Sequence, residues 1–130
     1  MTTHIQTLQV KTFAPGLTVD DLQHSIRVFE GLGFVVDERW EDKGTLLGVM
    51  MRAGNAKIGL NQDDWKKGRD RQKGIGMRIF IGTPQDVDEI AARAKAAGVK
   101  LDTEPHDTPE GRAFEISDSG LRITIWHEKA

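Results

Sequence analysis

Asp21 and Gly33 stand 12 residues apart, as do Asp86 and Gly98, and the second pair follows the first at an offset of 65 in a chain of 130 residues. The chain is one half-length unit written twice. The first copy runs Asp21-Leu22 through Ser25-Ile26, Phe29 and Leu32-Gly33-Phe34; the second runs Asp86-Val87 through Ile90-Ala91, Ala94 and Ala97-Gly98-Val99. Ile58-Gly59-Leu60 and Ile123-Thr124-Ile125 keep the same offset near the end of each half. Two matching modules imply a pseudo-twofold arrangement, and the groove between them is a natural place for a ligand. A module of about 65 residues is marginal alone, so the two should share a core in one domain, 1–130. Module 1 is expected over about 8–61 and module 2 over about 75–128, joined by a connector at 62–74 whose dense charges and glycines suggest exposure.

Periodicity gives the elements. Leu17 and Val19 alternate with small or polar neighbours and close a first strand, after which Asp20 or Asp21 caps a helix with Leu22, Ile26 and Phe29 on one face. Gly31 or Gly33 ends it. Phe34-Val35-Val36 restarts an extended segment, and Leu46 to Arg52 with Ala56 to Asn61 reads as a hairpin turning at Ala53-Gly54-Asn55. In the second half Met77, Ile79 and Ile81 alternate as a half-buried strand, and Thr83-Pro84-Gln85-Asp86 opens a helix with a capping hydroxyl, an early proline and acidic charge. That helix stops at Gly98. Extended segments near Val99-Leu101, Arg112-Ile116 and Leu121-Trp126 complete a second βαβββ pattern, with Asp118-Ser119-Gly120 as the last turn.

Composition narrows the partners. With 18 basic and 20 acidic residues spread along the chain, the net charge of -2 gives no reason to expect nucleic acid. No apolar run is long enough for a bilayer, and Met1-Thr2-Thr3-His4 lacks a signal-peptide core, so a soluble cytoplasmic protein is expected. The absence of cysteine removes disulfides, thiolate metal sites and thiol nucleophiles together, and suits a reducing compartment. No nucleophile elbow, phosphate loop, dinucleotide fingerprint or zinc-protease helix is present.

Leu17-Thr18-Val19-Asp20-Asp21-Leu22, Ser25-Ile26, Phe29, Leu32-Gly33-Phe34, Asp86-Val87-Asp88 and Lys95-Ala96-Ala97-Gly98-Val99 together resemble the vicinal-oxygen-chelate superfamily, the group of glyoxalase I, extradiol dioxygenases and bleomycin-resistance proteins. Gly111-Arg112-Ala113-Phe114, Asp118 and Gly120 resemble its closing signature, with Ser119 where a proline is usual. The resemblance implies an α+β fold, two tandem βαβββ modules forming an open, barrel-like mixed sheet around a cavity, often as a homodimer. It also implies a divalent ion held by His or Gln with Glu on the first and last strands of each module. Counting from the strands puts those positions at Ala14, Gly59, Gly76 and Thr124, and only threonine among them has a side-chain oxygen. Neither a metal nor another cofactor is therefore expected.

Strand alternation says what faces the cavity instead. If Leu17, Val19, Ile58, Leu60, Met77, Ile79, Ile81, Ile123 and Ile125 pack beneath the helices, then Lys57, Asn61, Arg78, Phe80, Arg122, Thr124 and Trp126 face the other way, with Glu115. Such a lining suits a flat or anionic organic molecule. Arg78 and Arg122 have the chemistry to clamp an anion, with Lys57 adding charge, or to pair with Glu115 on a wet sheet face. Phe80 and Trp126 serve either an interface or a stacked ligand; Trp40 is a further cavity candidate, and Trp65 an anchor for the connector or for a subunit contact. His24 is read as solvated on the polar side of its helix, His4 and His127 as mobile near the termini, and Glu104-Pro105-His106-Asp107 as an exposed loop. Glu115 is the one candidate base and no other catalytic residue is assigned. The first reading is a metal-independent protein of the bleomycin-resistance type, sequestering a drug or metabolite between modules or subunits. The others are an enzyme of the same superfamily, metal-free with Glu115 as base or using ligands outside the family positions such as His106 with a carboxylate, and an interaction module.

Overall fold

The repeat is physical at the level of single hydrogen bonds. In the computed structural model, which describes residues 7–128, the Asp21 carboxylate accepts from the His24 amide at 3.2 Å and caps α1 (Leu22–Leu32). Asp86 accepts from the Asp88 amide at 2.9 Å and caps α2 (Val87–Ala96). At the other ends Gly33 and Gly98 take φ of 105° and 91°, a region open to glycine at little cost. The chain then turns back on itself: the Gly33 and Phe34 amides reach the Glu30 and Phe29 carbonyls, and the Gly98 and Val99 amides reach those of Lys95 and Ala94. Each partner in the second closure lies 65 residues after its counterpart in the first.

The strands follow the same plan. Module 1 carries β1 (Gly16–Val19), β2 (Val35–Asp42), β3 (Thr45–Ala53) and β4 (Ala56–Gln62); module 2 carries β5 (Arg78–Thr83), β6 (Thr103–Thr108), β7 (Gly111–Asp118) and β8 (Leu121–His127). Their sheets run β1-β4-β3-β2 and β5-β8-β7-β6, with the first strand of each parallel to the last and the other pairs antiparallel. The result is the expected α+β architecture, two mixed four-stranded sheets that do not close on one another. One face of each sheet joins a single apolar core in which Leu17, Val19, Phe29 and Leu60 from module 1 meet Val87, Ala94, Phe114 and Ile123 from module 2. The helices pack on each other, and α1 also meets the segment that follows α2, where a Cβ on Gly31 would lie 2.6 Å from Val99 Cγ2. Among the described residues no helix is long and apolar enough to cross a membrane.

Several local expectations need correction. The Thr83 hydroxyl does not cap α2; it accepts from the Gln85 amide at 3.2 Å and closes a turn, leaving Asp86 as cap and Pro84 in the link. No strand forms at 99–101, because Val99 is held by the helix closure and packs into the core. The strand starts instead at Thr103, so Glu104-Pro105-His106-Asp107 is part of β6, an edge strand where proline forfeits no interior ladder bond. Met77 precedes β5 and is 52% exposed. His127 ends β8 with Nδ1 2.8 Å from the Gln85 carbonyl, while His24 is exposed as expected and His4 lies outside the described residues.

The connector is not simply an exposed loop. It buries Asp63 and Lys73, with Lys73 Nζ 2.9 Å from the Asp63 carboxylate and also bonded to Asp20 beside β1. The ammonium lies 4.7 Å from the centroid of the Trp65 ring, so Trp65 anchors the connector. The Lys73 ammonium and then the Trp65 amide hold the Asp63 carboxyl below the usual range; Asp20 and then Asp63 push Lys73 up. Next to Lys73, a Cβ on Gly74 would lie 2.5 Å from the Leu121 nitrogen, so connector and β7–β8 turn meet backbone to backbone.

Candidate functional site

The open face of the β5–β8 sheet forms a cup of about 690 Å³. Register builds it row by row. Arg78 lies opposite Arg122; Phe80 lies opposite Thr124, which lies opposite Glu115; Trp126 lies opposite Ala113, which lies opposite His106. Alternation turns all of these to one side while Ile123, Ile125, Phe114 and Ile116 face the core. Phe80 and Trp126 meet edge to face, centroids 6.5 Å apart and planes at 75°, and Phe80 remains 61% exposed. A planar ring placed in this corner stacks on one aromatic and meets the edge of the other.

The polar groups converge on Glu115. Its Oε2 lies 3.2 Å from Arg122 and 3.8 Å from Arg78, and Thr124 donates to it at 3.3 Å. The Arg78 guanidinium also sits 5.7 Å from the Phe80 ring centroid. Of the residues expected on this face from sequence, Arg78, Phe80, Glu115, Thr124 and Trp126 line the cup, and Arg122 bonds Glu115 without lining it. Lys57 and Asn61 lie on the other sheet. Lys57 pairs with Asp37 at 3.2 Å, and Asn61 and Trp40 crowd the space above Gly48, where a Cβ would sit 2.7 Å from Asn61 Oδ1. Sequence reasoning missed His106, Thr108 and Glu110 in the cup wall. No local pattern signalled them: residues 103–108 are polar apart from Pro105 and read as a loop until paired with β7.

A second hollow of about 670 Å³ lies between the modules, lined by Leu32, Phe34, Ile81, Ile90 and the β3–β4 turn, with Arg93 its one charged side chain among the described residues. Its polar side chains are Asn55, Thr83, Gln85 and Arg93, and among the described residues it has no aromatic pair like that of the cup.

The metal positions implied by the family resemblance can be placed by pairing. Gly16 lies opposite Gly59 in one sheet and Phe80 opposite Thr124 in the other. Gly59 and Thr124 keep the 65-residue offset, whereas Gly16 and Phe80 fall one residue short of it. The link from β5 to α2 is thus one residue longer than that from β1 to α1, and the counterpart of Ala14 is Arg78, not Gly76. Ala14, Gly59, Arg78 and Thr124 offer one hydroxyl and one fixed cation. They do not fit a divalent ion, which needs imidazole or carboxylate donors. Among the described residues no group of three or more His, Asp or Glu is placed to hold one.

The family model described as "Glyoxalase/Bleomycin resistance protein/Dioxygenase superfamily" matches residues 4–123. Solved structures share the fold. TioX from Micromonospora sp. ML1 is 18% identical with a TM-score of 0.73, over 92% of this chain and 100% of that one. TnmS3, an antibiotic binding protein from Streptomyces sp. CB03234, is 23% identical with a TM-score of 0.62, over 97% and 100%. A glyoxalase/bleomycin resistance protein/dioxygenase from Nocardioides is 14% identical with a TM-score of 0.63, over 97% and 89%. No curated protein matches the sequence.

Proposed function

Because this chain belongs to the glyoxalase/bleomycin resistance protein/dioxygenase superfamily, we propose that it binds and sequesters a small aromatic or anionic organic molecule in the β5–β8 cup, without a metal ion. The observation that carries this reading is the open Phe80–Trp126 corner set beside the Arg78–Glu115–Arg122 cluster: apolar area with a few directional polar groups. The fold shared with an antibiotic-binding protein supports a drug-like cargo. Sequestration needs no reactive group, and Glu115 Oε2 already accepts from Arg122 and Thr124, which argues against a role as free base. The absence of cysteine supports action in the cytoplasm. In a homodimer the β1–β4 face of a second copy would cover the cup; Trp40, 42% exposed on that face, supports this arrangement.

A thermal-shift screen of aromatic antibiotics and aromatic acids tests the site. A bound compound should raise Tm by several degrees, and Arg78→Ala or Trp126→Ala should abolish the rise. A rise untouched by both substitutions would place the ligand elsewhere.

A further inference from the structure

The two ends of the cup differ in chemistry, and the strand register puts them in separate rows. At one end Arg78 and Arg122 share a single carboxylate, Glu115, so two positive charges meet one negative and the row keeps a positive surplus. Four residues along β8 is Trp126, whose row continues through Ala113 to His106. At about 3.3 Å per residue the two rows lie about 13 Å apart along the strands, and β8 and β7 lie between Arg78 on β5 and His106 on β6.

His106 offers the complementary group. Its Nδ1 lies 2.9 Å from the Glu104 carbonyl oxygen. A carbonyl only accepts, so in the neutral imidazole the proton resides on Nδ1 and Nε2 carries a bare lone pair. Among the described residues Nε2 has no protein partner, and the neighbouring Glu110 adds negative charge to this end of the wall. Anion-favouring donors at one end, an aromatic corner in the middle and a fixed acceptor at the other end describe a ligand with direction.

We propose that the cup selects a flat aromatic acid that carries a hydroxyl at the end opposite its carboxylate, the carboxylate at Arg78 and the hydroxyl donating to His106 Nε2. The inference rests on the cup being the ligand site and adds polarity and direction to the cargo.

Calorimetric titration of the full chain with three probes tests it: 6-hydroxy-2-naphthoate, its methyl ether 6-methoxy-2-naphthoate, and 2-naphthol, which lacks the carboxylate. The hydroxy acid should bind tightest, with each of the others about tenfold weaker. His106→Ala should erase the preference for hydroxyl over methoxy while preserving affinity for the methyl ether, and His106→Gln, which keeps an acceptor, should restore part of it. Arg78→Ala should erase the preference for the acid over 2-naphthol. Equal binding of hydroxy and methoxy acids, or a preference that survives His106→Ala, overturns the role of His106 and leaves the small-molecule reading standing. Equal binding of acid and 2-naphthol overturns the arginine end. If none of the three binds, the inference falls, and the thermal-shift screen of antibiotics and aromatic acids decides the reading beneath it.

Discussion

Glu115 sets the charge balance of the cup, because the two guanidiniums beside it compete for one carboxylate. Replacing it with glutamine keeps the shape and removes the competitor for an incoming anion. Glu115→Gln should therefore tighten binding of 2-naphthoate by roughly threefold, the scale of a partly exposed ion pair, and added salt should shrink the gain. Unchanged affinity would mean that the arginines do not meet the ligand. Gly82 acts on the other half of the lining. A Cβ there would lie 2.8 Å from Trp126 Cζ2, so Gly82→Val should push the indole out of its corner. The outcome to look for is loss of the ligand-induced thermal shift with the apo fold intact by circular dichroism.

Between elements, the connector clasp and the β7–β8 turn hold the modules in place. Gly120 has φ of 83° and a Cβ on it would strike the Lys73 carbonyl oxygen, a backbone atom with nowhere to go. Gly120→Ala should cost about 2 kcal/mol or more and lower Tm by roughly 5–10 °C. Asp63→Asn removes the buried partner of Lys73 and should also lower Tm at neutral pH. A carboxyl held below its ordinary value stabilises the fold above that value and loses this contribution as pH falls, so the gap between wild type and Asp63→Asn should close below about pH 3.8. A gap that persists there would deny the ion pair its role. These elements also show what was legible in sequence. Helix caps and closures depend on neighbours a few residues away, so Asp21, Gly33 and Gly98 announced them, whereas the Thr83 hydroxyl misled at the start of α2, where Asp86 is the cap. The sheet lining from β5, β7 and β8 followed from alternation. The start of β6, and with it the place of His106, depends on pairing with β7, which no local pattern reports. The Asp63–Lys73 clasp escaped for the same reason: a charge-rich stretch looks solvated until its partners fold over it.

Across the whole molecule, the donor set at the family's metal positions makes a chelator the sharpest control. Protein purified without chelators should carry well under one equivalent of divalent metal, and EDTA should leave both Tm and ligand binding unchanged; stoichiometric zinc, nickel, iron or manganese would overturn metal independence. Sedimentation should find a homodimer if the β1–β4 face covers the cup. The longer link from β5 to α2 has a further consequence. It slides one strand by a residue, so that Phe80 stands beside Thr124 where the other half sets two bare glycines side by side. Symmetry of descent thus stops short of symmetry of occupancy: each polypeptide should saturate at one guest, not two, and the unfurnished half is left free to serve as a roof.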